Sequence, residues 1–573
     1  MERVAPPRRT SHSAVSRALL LAMLWTPTLA LDNGFTRPER GWSSWYAAPL
    51  GSQVTDTFVR ESARALVDSG LGAKGFHFVN VDEGWLKGRF NNGTIYEDFE
   101  KFPYGMAGLG EFINSLPVSP GAAETMRFGL YTCRGTCQCS TSAYSGPGSH
   151  GFEAQDTEWM LAAGAQWLKV DSCCGSQTHA TAFSDYAKFR DALNASGKRV
   201  WFNLCGWEAW YAPSDPSIDY AGGFSLGNSF RIFDDGGSWG AITGAINTMA
   251  AVSNWTRAGG YPDPDNILGP HGTVGVVTEA QARTQMILWS LAPTQLIIGE
   301  DVTRMSVEFI ATLSNDELLD VNWDTPFMGA SRRIVGGDLT WPCSPSGGAV
   351  AQVLALTCEA GDAAQLFFLN STDASLRPAE NPSNLLSTVE CGFDDGDLVS
   401  VFKAGTACAG GATWTHEDDG TIRGGAGKCL DEYMLDTERI DLWTCINQTN
   451  LQWVFNASGA AVGGFATGTF VNGDSGKCLS TAPPLPTSSC TNVWARPLSS
   501  GDVAVAFVNN GSENTTVVCD AACFSAAGLA DAKGLRVRDM LEHADLPELT
   551  PPFSISVHVA GEGAAEALRF SRL

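Results

Sequence analysis

The chain has 573 residues, of which 62 are acidic and 37 basic, for a net charge of −25. Such a length exceeds one ordinary hydrophobic core and implies roughly two to four domains. The acidic balance excludes nucleic acid and an anionic membrane surface as partners and favours a neutral ligand.

The first feature in chain order is a secretory signal over residues 1–30. Arg8 and Arg9 precede the apolar run "ALLLAMLW" (18–25), and small residues lead to a cleavage position after Ala30. Sixteen cysteines fit a disulfide-forming compartment. Eight glycosylation sequons, at Asn92, Asn194, Asn254, Asn370, Asn447, Asn456, Asn510 and Asn514, fit the same route. The expected destination is the outside of the cell or a lysosome- or vacuole-like compartment. No later apolar run is long and uninterrupted enough to span a bilayer; "MILWSLAPTQLIIG" (286–299) is broken by a proline.

From residue 31 to 325, short β-rich runs alternate with helical stretches. The predicted strands are "GFHFVNVD" (75–82), "RFGLYT" (127–132), "WLKVD" (167–171), "RVWFNLC" (199–205), "SFRIFDD" (229–235), "TQLIIG" (294–299) and "LDVNW" (319–323). Amphipathic segments such as "VTDTFVRESARALVDSG" (54–70) lie between them. Near-continuous apolar strands separated by helices predict an α/β fold, a (β/α)8 TIM barrel with a parallel sheet. Asp82, Tyr131, Asp171, Cys205 and Asp235 all fall at C-terminal strand ends, the end that carries chemistry in a barrel.

Beyond residue 340, Gly, Ser and Thr rise and the helical period vanishes. "ATWTHEDDGTIRGGAGKCLD" (412–431) and "LQWVFNASGAAVGG…GDSGKCLS" (451–480) look alike, and "AQLFFLNSTDASLR" (364–377) is a weaker copy. A period of about 40 residues predicts three stacked β units over 340–492. Short loops are expected to close at Cys391/Cys408, Cys429/Cys445 and Cys478/Cys490, with Cys343/Cys358 as a permuted fragment. The block resembles a ricin-type β-trefoil, whose Gln-x-Trp signature is best kept near Gln452 and Trp453. Trp414, Trp453 and Phe367 are expected in its core, and the resemblance places any lectin activity at Asp431. Residues 326–339 and 493–573 alternate as strands of a C-terminal β-sandwich, with Cys519 and Cys523 able to staple it.

Eight histidines without a His-x-x-x-His pair exclude the usual metalloprotease site, and no metal or cofactor is expected. Phosphate-loop, dinucleotide and serine-elbow motifs are missing as well. Carboxylates remain. Asp171 lies two residues after Lys169 on one strand face, and a nearby cation favours the ionised form that a nucleophile needs. "FRIFDDGGSW" supplies a second acid, and two carboxyl groups roughly 5–5.5 Å apart would make a retaining glycosidase.

These segments carry a specific resemblance. "GWSSW" (41–45), "VNVDEGW" (79–85), "RFGLYT", "WLKVDSC", "FNLCGW", "FRIFDD", "GGYPDPDNI" (259–267) and "SLAPTQLIIGEDV" (290–302) run in the order seen in glycoside hydrolase family 27. That family includes α-galactosidases, α-N-acetylgalactosaminidases and β-L-arabinopyranosidases. The resemblance implies a secreted retaining exo-glycosidase that releases terminal α-D-galactose. It assigns Asp171 as nucleophile and Asp235 as acid/base, with Asp234 selected instead when the alignment runs back from Trp239. Trp45, Asp82, Glu83, Tyr131, Lys169, Arg231 and Asp265 match sugar-holding positions, and Cys139 and Cys173 match a family disulfide. Cys133, Cys137 and Cys174 are additional, and Cys205 lacks the downstream partner many relatives have.

Where relatives read Asp-Asp-Cys-Trp, this chain has Asp82-Glu83-Gly84-Trp85. The longer Glu83 would crowd C6 and favour β-L-arabinopyranose without excluding galactose, while the small Gly206 and Ala209 would either admit an acetamido group or reflect a rearranged loop with Glu208. The expected partner is a small-molecule, oligo- or polysaccharide substrate with a terminal galactose-like sugar, and a homodimer is one assembly open to the chain. A transglycosylase would use the same residues. A carbohydrate-binding protein with an inactive barrel is the reading from another class.

Overall fold

The computed structural model describes residues 31, 33–48, 53–140, 146–176, 178–207, 209–212, 222–272, 277–324, 331–336, 349–389, 392–393, 397–408, 410–424, 427–432, 440–446, 448–482 and 490–573. The expected signal at 1–30 lies outside them.

Eight parallel strands build the N-terminal part: β1 (Arg40–Ser43), β2 (Phe76–Val81), β3 (Arg127–Cys133), β4 (Trp167–Asp171), β5 (Trp201–Cys205), β6 (Ser229–Arg231), β7 (Tyr261–Asp263) and β8 (Leu296–Ile298). Each pairs with the next from β1 through β7, and β8 returns to β1 with Arg40 opposite Leu296. A parallel bridge between Ile267 and Ile298 joins the remaining gap. The helices between the strands bury their apolar stripes on the outside of this sheet, Val59, Ala63 and Leu66 of Asp56–Asp68 among them.

Two strands escaped the sequence reading. β1 (RGWS) and β7 (YPD) lack the run of β-branched and aromatic residues that marks the segments of the equally short β6 and β8, and β7 contains Pro262. The segment "LDVNW" corrects in the other direction. It lies in a helix, Asp316–Asn322, because the Asn315 side chain caps it by accepting from Leu318 N and two acids fill its first turn.

The barrel interior is layered. At the bottom, Trp167 stacks on Trp201 at 5.4 Å and Trp201 on Tyr261 at 5.8 Å, with Phe78 edge-on to Trp167. Two residues further along each strand, one layer up, stand Lys169, Asn203, Asp263 and Asn80. Another two-residue step brings Asp171, Cys205, Asp265 and Asp82. Period-two alternation thus turns each strand into a ladder from aromatic floor to charged rim.

The C-terminal part is all β. Arg332–Val335 pairs antiparallel with Thr491–Pro497, which continues through Val503–Asn509, Ala564–Arg572, Leu535–Asp539 and Ala544–Leu549. Thr515–Cys519 and Ile555–Val559 form a second layer, and the two enclose Val505, Phe507, Phe524 and Phe570. Cys519 and Cys523 are bonded. Arg496 anchors this sheet to the barrel by donating to the carbonyl of Ser290 at 2.9 Å.

Residues 349–482 form further β structure with internal repetition. Trp414 Nε1 donates to Leu386 O and Trp453 Nε1 to Leu430 O, each at 2.9 Å. Asp373–Ser375–Arg377 and Asp419–Thr421–Arg423 repeat one hydrogen-bonded turn, in which the acid binds both partners. Phe367, Trp414 and Trp453 are buried in a shared core. Asp431 is 3% exposed and accepts from Asn450.

Cys429 and Cys445 are bonded as expected, but Cys478 joins Cys358 across 120 residues. That overturns Cys478/Cys490 and Cys343/Cys358 together. Strand Ala349–Leu356 pairs antiparallel with Cys478–Ala482 and sets Leu356 opposite Cys478, so sheet register outweighs sequence proximity. Cys408 is disulfide-bonded, while Cys391 and Cys343 lie outside the described residues.

Candidate active site

At the C-terminal rim the strand ends gather acids around two cations. Asp171 closes β4 and is 5% exposed. One of its oxygens accepts from Ser172 N at 2.8 Å and the other from the Tyr131 hydroxyl at 3.2 Å. Burial pushes its carboxyl up to about 6, with Lys169 as the strongest opposing influence and Asp235 adding to the rise. Lys169 therefore moderates the proton affinity of Asp171 without holding it in the ordinary carboxylate range. Its ammonium contacts Asp82 Oδ2, at 2.9 Å.

Asp82 and Glu83 follow β2. Asp82 Oδ1 accepts from Glu83 N at 2.8 Å, and Ser43 Oγ is 3.4 Å from Oδ2. Glu83 is fully buried, and both its oxygens accept from Ser140 N, at 2.9 and 3.0 Å. The Tyr131 hydroxyl lies 3.4 Å from Glu83 Oε2, so one phenol spans Glu83 and Asp171. Burial raises Glu83 to about 7, against the pull of Ser140 N, and the charges of Asp171 and Asp82 raise it further.

Arg231 ends β6 and organises the opposite wall. It meets Asp235 Oδ1 at 3.1 Å and Asp265 Oδ2 at 3.2 Å. It also donates to the carbonyls of Asp234 and Phe233, at 2.6 and 3.2 Å, which turns the chain beyond the strand. The Asp235 side chain is 46% exposed at the mouth, whereas Asp234 is 6% exposed. Protein packed around Asp235 raises its proton affinity, Arg231 lowers it and Asp265 raises it. Asp265 has a φ of +81° and accepts from Tyr46 and from Gly236 N, at 2.8 and 2.7 Å. Its carboxyl is held below the usual range: burial raises it, and Arg231 with the backbone donors outweighs that.

The structure thus brings Asp82, Glu83, Tyr131, Lys169, Asp171, Arg231, Asp235 and Asp265 to one rim. Trp45 stands half-buried on the short helix Ser44–Ala47 directly after β1. Cys139 and Cys173 are bonded, and a second disulfide, Cys137–Cys174, runs beside them. Both tie the loop after β3 to the loop after β4, which places Ser140 on Glu83. Cys133 is a buried thiol 3.7 Å from Cys139 Sγ and 3.5 Å from the Tyr131 hydroxyl.

Tyr46 and Ser140 belong to this constellation and were missed. Ser140 acts through its backbone, which no side-chain motif reports, and Tyr46 is adjacent to the more conspicuous Trp45. Gly206 has a packing role: a Cβ there would sit 2.5 Å from the Tyr211 ring.

A parallel eight-stranded barrel whose C-terminal rim gathers a water-accessible acid, Asp235, and a buried one, Asp171, around two cations has the parts of a glycoside hydrolase site. Residues 50–324 match the family model described as alpha galactosidase A, and residues 488–566 match the alpha galactosidase C-terminal beta sandwich domain. The chain belongs to the α-galactosidase family, glycoside hydrolase family 27, and is an α-galactosidase-like glycoside hydrolase. It is 31% identical over 345 residues to a probable alpha-galactosidase of Dictyostelium discoideum, covering 59% of this chain and 82% of that protein. In structure it resembles an α-galactosidase of Saccharomyces cerevisiae with raffinose, at a TM-score of 0.58, 16% identity and coverage of 94% of this chain and 98% of the other. It also resembles a β-L-arabinopyranosidase from Geobacillus stearothermophilus in complex with arabinose, at a TM-score of 0.55, 14% identity and coverage of 94% and 98%.

Proposed function

We propose that the protein is a secreted retaining exo-glycosidase that releases terminal α-D-galactose from galactosides by double displacement. The observation that carries this reading is the division of labour between two acids: Asp171 is buried and oriented by Ser172 N and Tyr131, and Asp235 is solvent-accessible on Arg231. Asp171 attacks the anomeric carbon while Asp235 gives its proton to the leaving oxygen. Asp235 then takes a proton from the water that releases the sugar. A raised proton affinity at Asp235 suits the first of these steps.

Asp82, Glu83 and Lys169 clamp the sugar hydroxyls opposite Arg231 and Asp265. The N-terminal signal and the sequons support a secretory route, and Asn92, Asn456 and Asn514 are exposed.

The test is covalent trapping. An activated 2-deoxy-2-fluoro-α-galactoside, followed by peptide mass mapping, labels Asp171, and product NMR shows the α-anomer of galactose first. Label on another residue, or the β-anomer first, refutes the mechanism.

A second reading is favoured by Glu83. Pinned by Ser140, it cannot withdraw from C6, which supports activity on β-L-arabinopyranosides. The acetamido reading loses support, since Tyr211 occupies the space beside Gly206. Nitrophenyl α-galactoside, β-L-arabinopyranoside and α-N-acetylgalactosaminide assayed side by side rank the three.

A further inference from the structure

At the floor of the rim pocket, the barrel interior has a cavity of about 20 Å³ whose lining joins Asn80, Arg231, Asp263 and Gln295 to Asp82 and Asp265 of the site above. Three polar atoms of that lining have no protein partner: Asn80 Oδ1, Gln295 Oε1 and Arg231 Nε. Their residues are 6%, 3% and 2% exposed. The remaining groups around them are committed. Gln295 Nε2 and Asn203 Nδ2 both donate to Asp263 Oδ2 at 2.8 Å. The two terminal nitrogens of Arg231 serve Asp235, Asp265 and two backbone carbonyls. Gly129 makes the arrangement possible, since a Cβ there would lie 2.0 Å from Asn80 Oδ1.

Two of the three atoms accept and one donates. A metal cation would satisfy the amide oxygens but would face an N–H and two fixed positive charges, Arg231 and Lys169. An anion would satisfy Arg231 and confront two amide oxygens and Asp263. Water alone donates twice and accepts once, and a cavity of this size holds one such molecule.

We propose that the barrel interior binds an ordered water that bridges Arg231 Nε, Asn80 Oδ1 and Gln295 Oε1, and that Asn80 and Gln295 are thereby positioning residues for Arg231. Arg231 carries Asp235, so this brace sets how firmly the acid/base is paired. Six groups around Asp235 share its field: Arg231 on β6, Asp265 after β7, Lys169 and Asp171 on β4, Cys205 on β5 and Tyr46 after β1. Only Arg231 and Lys169 favour the ionised form. Loosening Arg231 therefore raises the proton affinity of Asp235 and moves the alkaline limb of activity upward. This kinetic consequence rests on the proposed acid/base role of Asp235; the water site itself does not.

The experiment pairs structure with kinetics on the full-length protein. A high-resolution crystal structure is expected to show solvent density about 3 Å from all three atoms. Asn80→Leu, with Gln295→Met as the second variant should the first fail to fold, is expected to lose that density. Its alkaline limb of kcat/KM should rise by about half a pH unit, with kcat down about tenfold. No density, or density with ligand distances near 2.4 Å as for a metal ion, overturns the water. Lost density with an unmoved limb in both variants overturns the positioning role. Full activity of Asp235→Asn on a galactoside with a poor leaving group would instead refute the acid/base reading, leaving the density result to stand separately.

Discussion

The backbone N–H of Ser140 donates to both oxygens of Glu83, at 2.9 and 3.0 Å, so a residue on one loop fixes the acid of another strand. Glu83 is one methylene longer than the aspartate expected at this position, and Ser140 prevents that methylene from being folded away. Glu83→Asp shortens the group and opens the space beside C6. The ratio of kcat/KM for nitrophenyl α-galactoside over β-L-arabinopyranoside should rise about tenfold, within the ~1–3 kcal/mol that one methylene commands. An unchanged ratio would show that Glu83 does not read C6.

Ser140 in turn depends on its neighbour. Cys139–Cys173 and Cys137–Cys174 bridge 34 and 37 residues of sequence and hold the loop against β4. Removing the first bridge as Cys139→Ser with Cys173→Ser should lower stability by about 2–4 kcal/mol, read by denaturant unfolding. It should also raise KM more than it lowers kcat, because Glu83 loses a clamp while Asp171 keeps Ser172 N and Tyr131. Equal loss in both parameters would mean that the bridge supports Asp171 directly.

Much of this rim is legible in the sequence. The ladders Trp167–Lys169–Asp171 and Trp201–Asn203–Cys205 place an aromatic, a polar group and a rim residue on one strand face, and period two makes that readable. β1 and β7 were hidden because RGWS and YPD carry no β-branched apolar run, and Pro262 argues against a strand. Cys358–Cys478 was hidden because its two halves meet only through the register of Leu356 on Cys478. Tyr46, Ser140 and Gln295 act through tertiary proximity, which spacing cannot express. The direction of the shift at Asp171 needed the depth of its burial, and the adjacent Lys169 gave no measure of that.

On the proposed mechanism that shift sets the acidic limb of activity. The proposed nucleophile must be ionised, and Asp171 is pushed up to about 6, so kcat/KM should fall about tenfold per unit as pH drops below that value. Lys169 is the largest influence holding the value down. Lys169→Met should therefore move the acidic limb to higher pH, while also weakening substrate binding through Asp82. A limb that stays in place, or moves down, would show that another group governs it.

Glu300 offers a test of stability away from the chemistry. It is fully buried, accepts from His271 N at 2.9 Å and is raised by burial to about 7 from an ordinary 4.5. A carboxyl whose folded value exceeds its unfolded one binds a proton more tightly in the fold. Its favourable contribution is thus complete below about 4.5 and is lost as pH rises through about 7. Glu300→Gln keeps an acceptor for His271 N and removes the charge. The variant should match the parent in chemical denaturation near pH 4 and exceed it by on the order of 2 kcal/mol near pH 8. Equal stability at both values would mean that Glu300 ionises in the fold without cost, with solvent or a cation reaching its second oxygen.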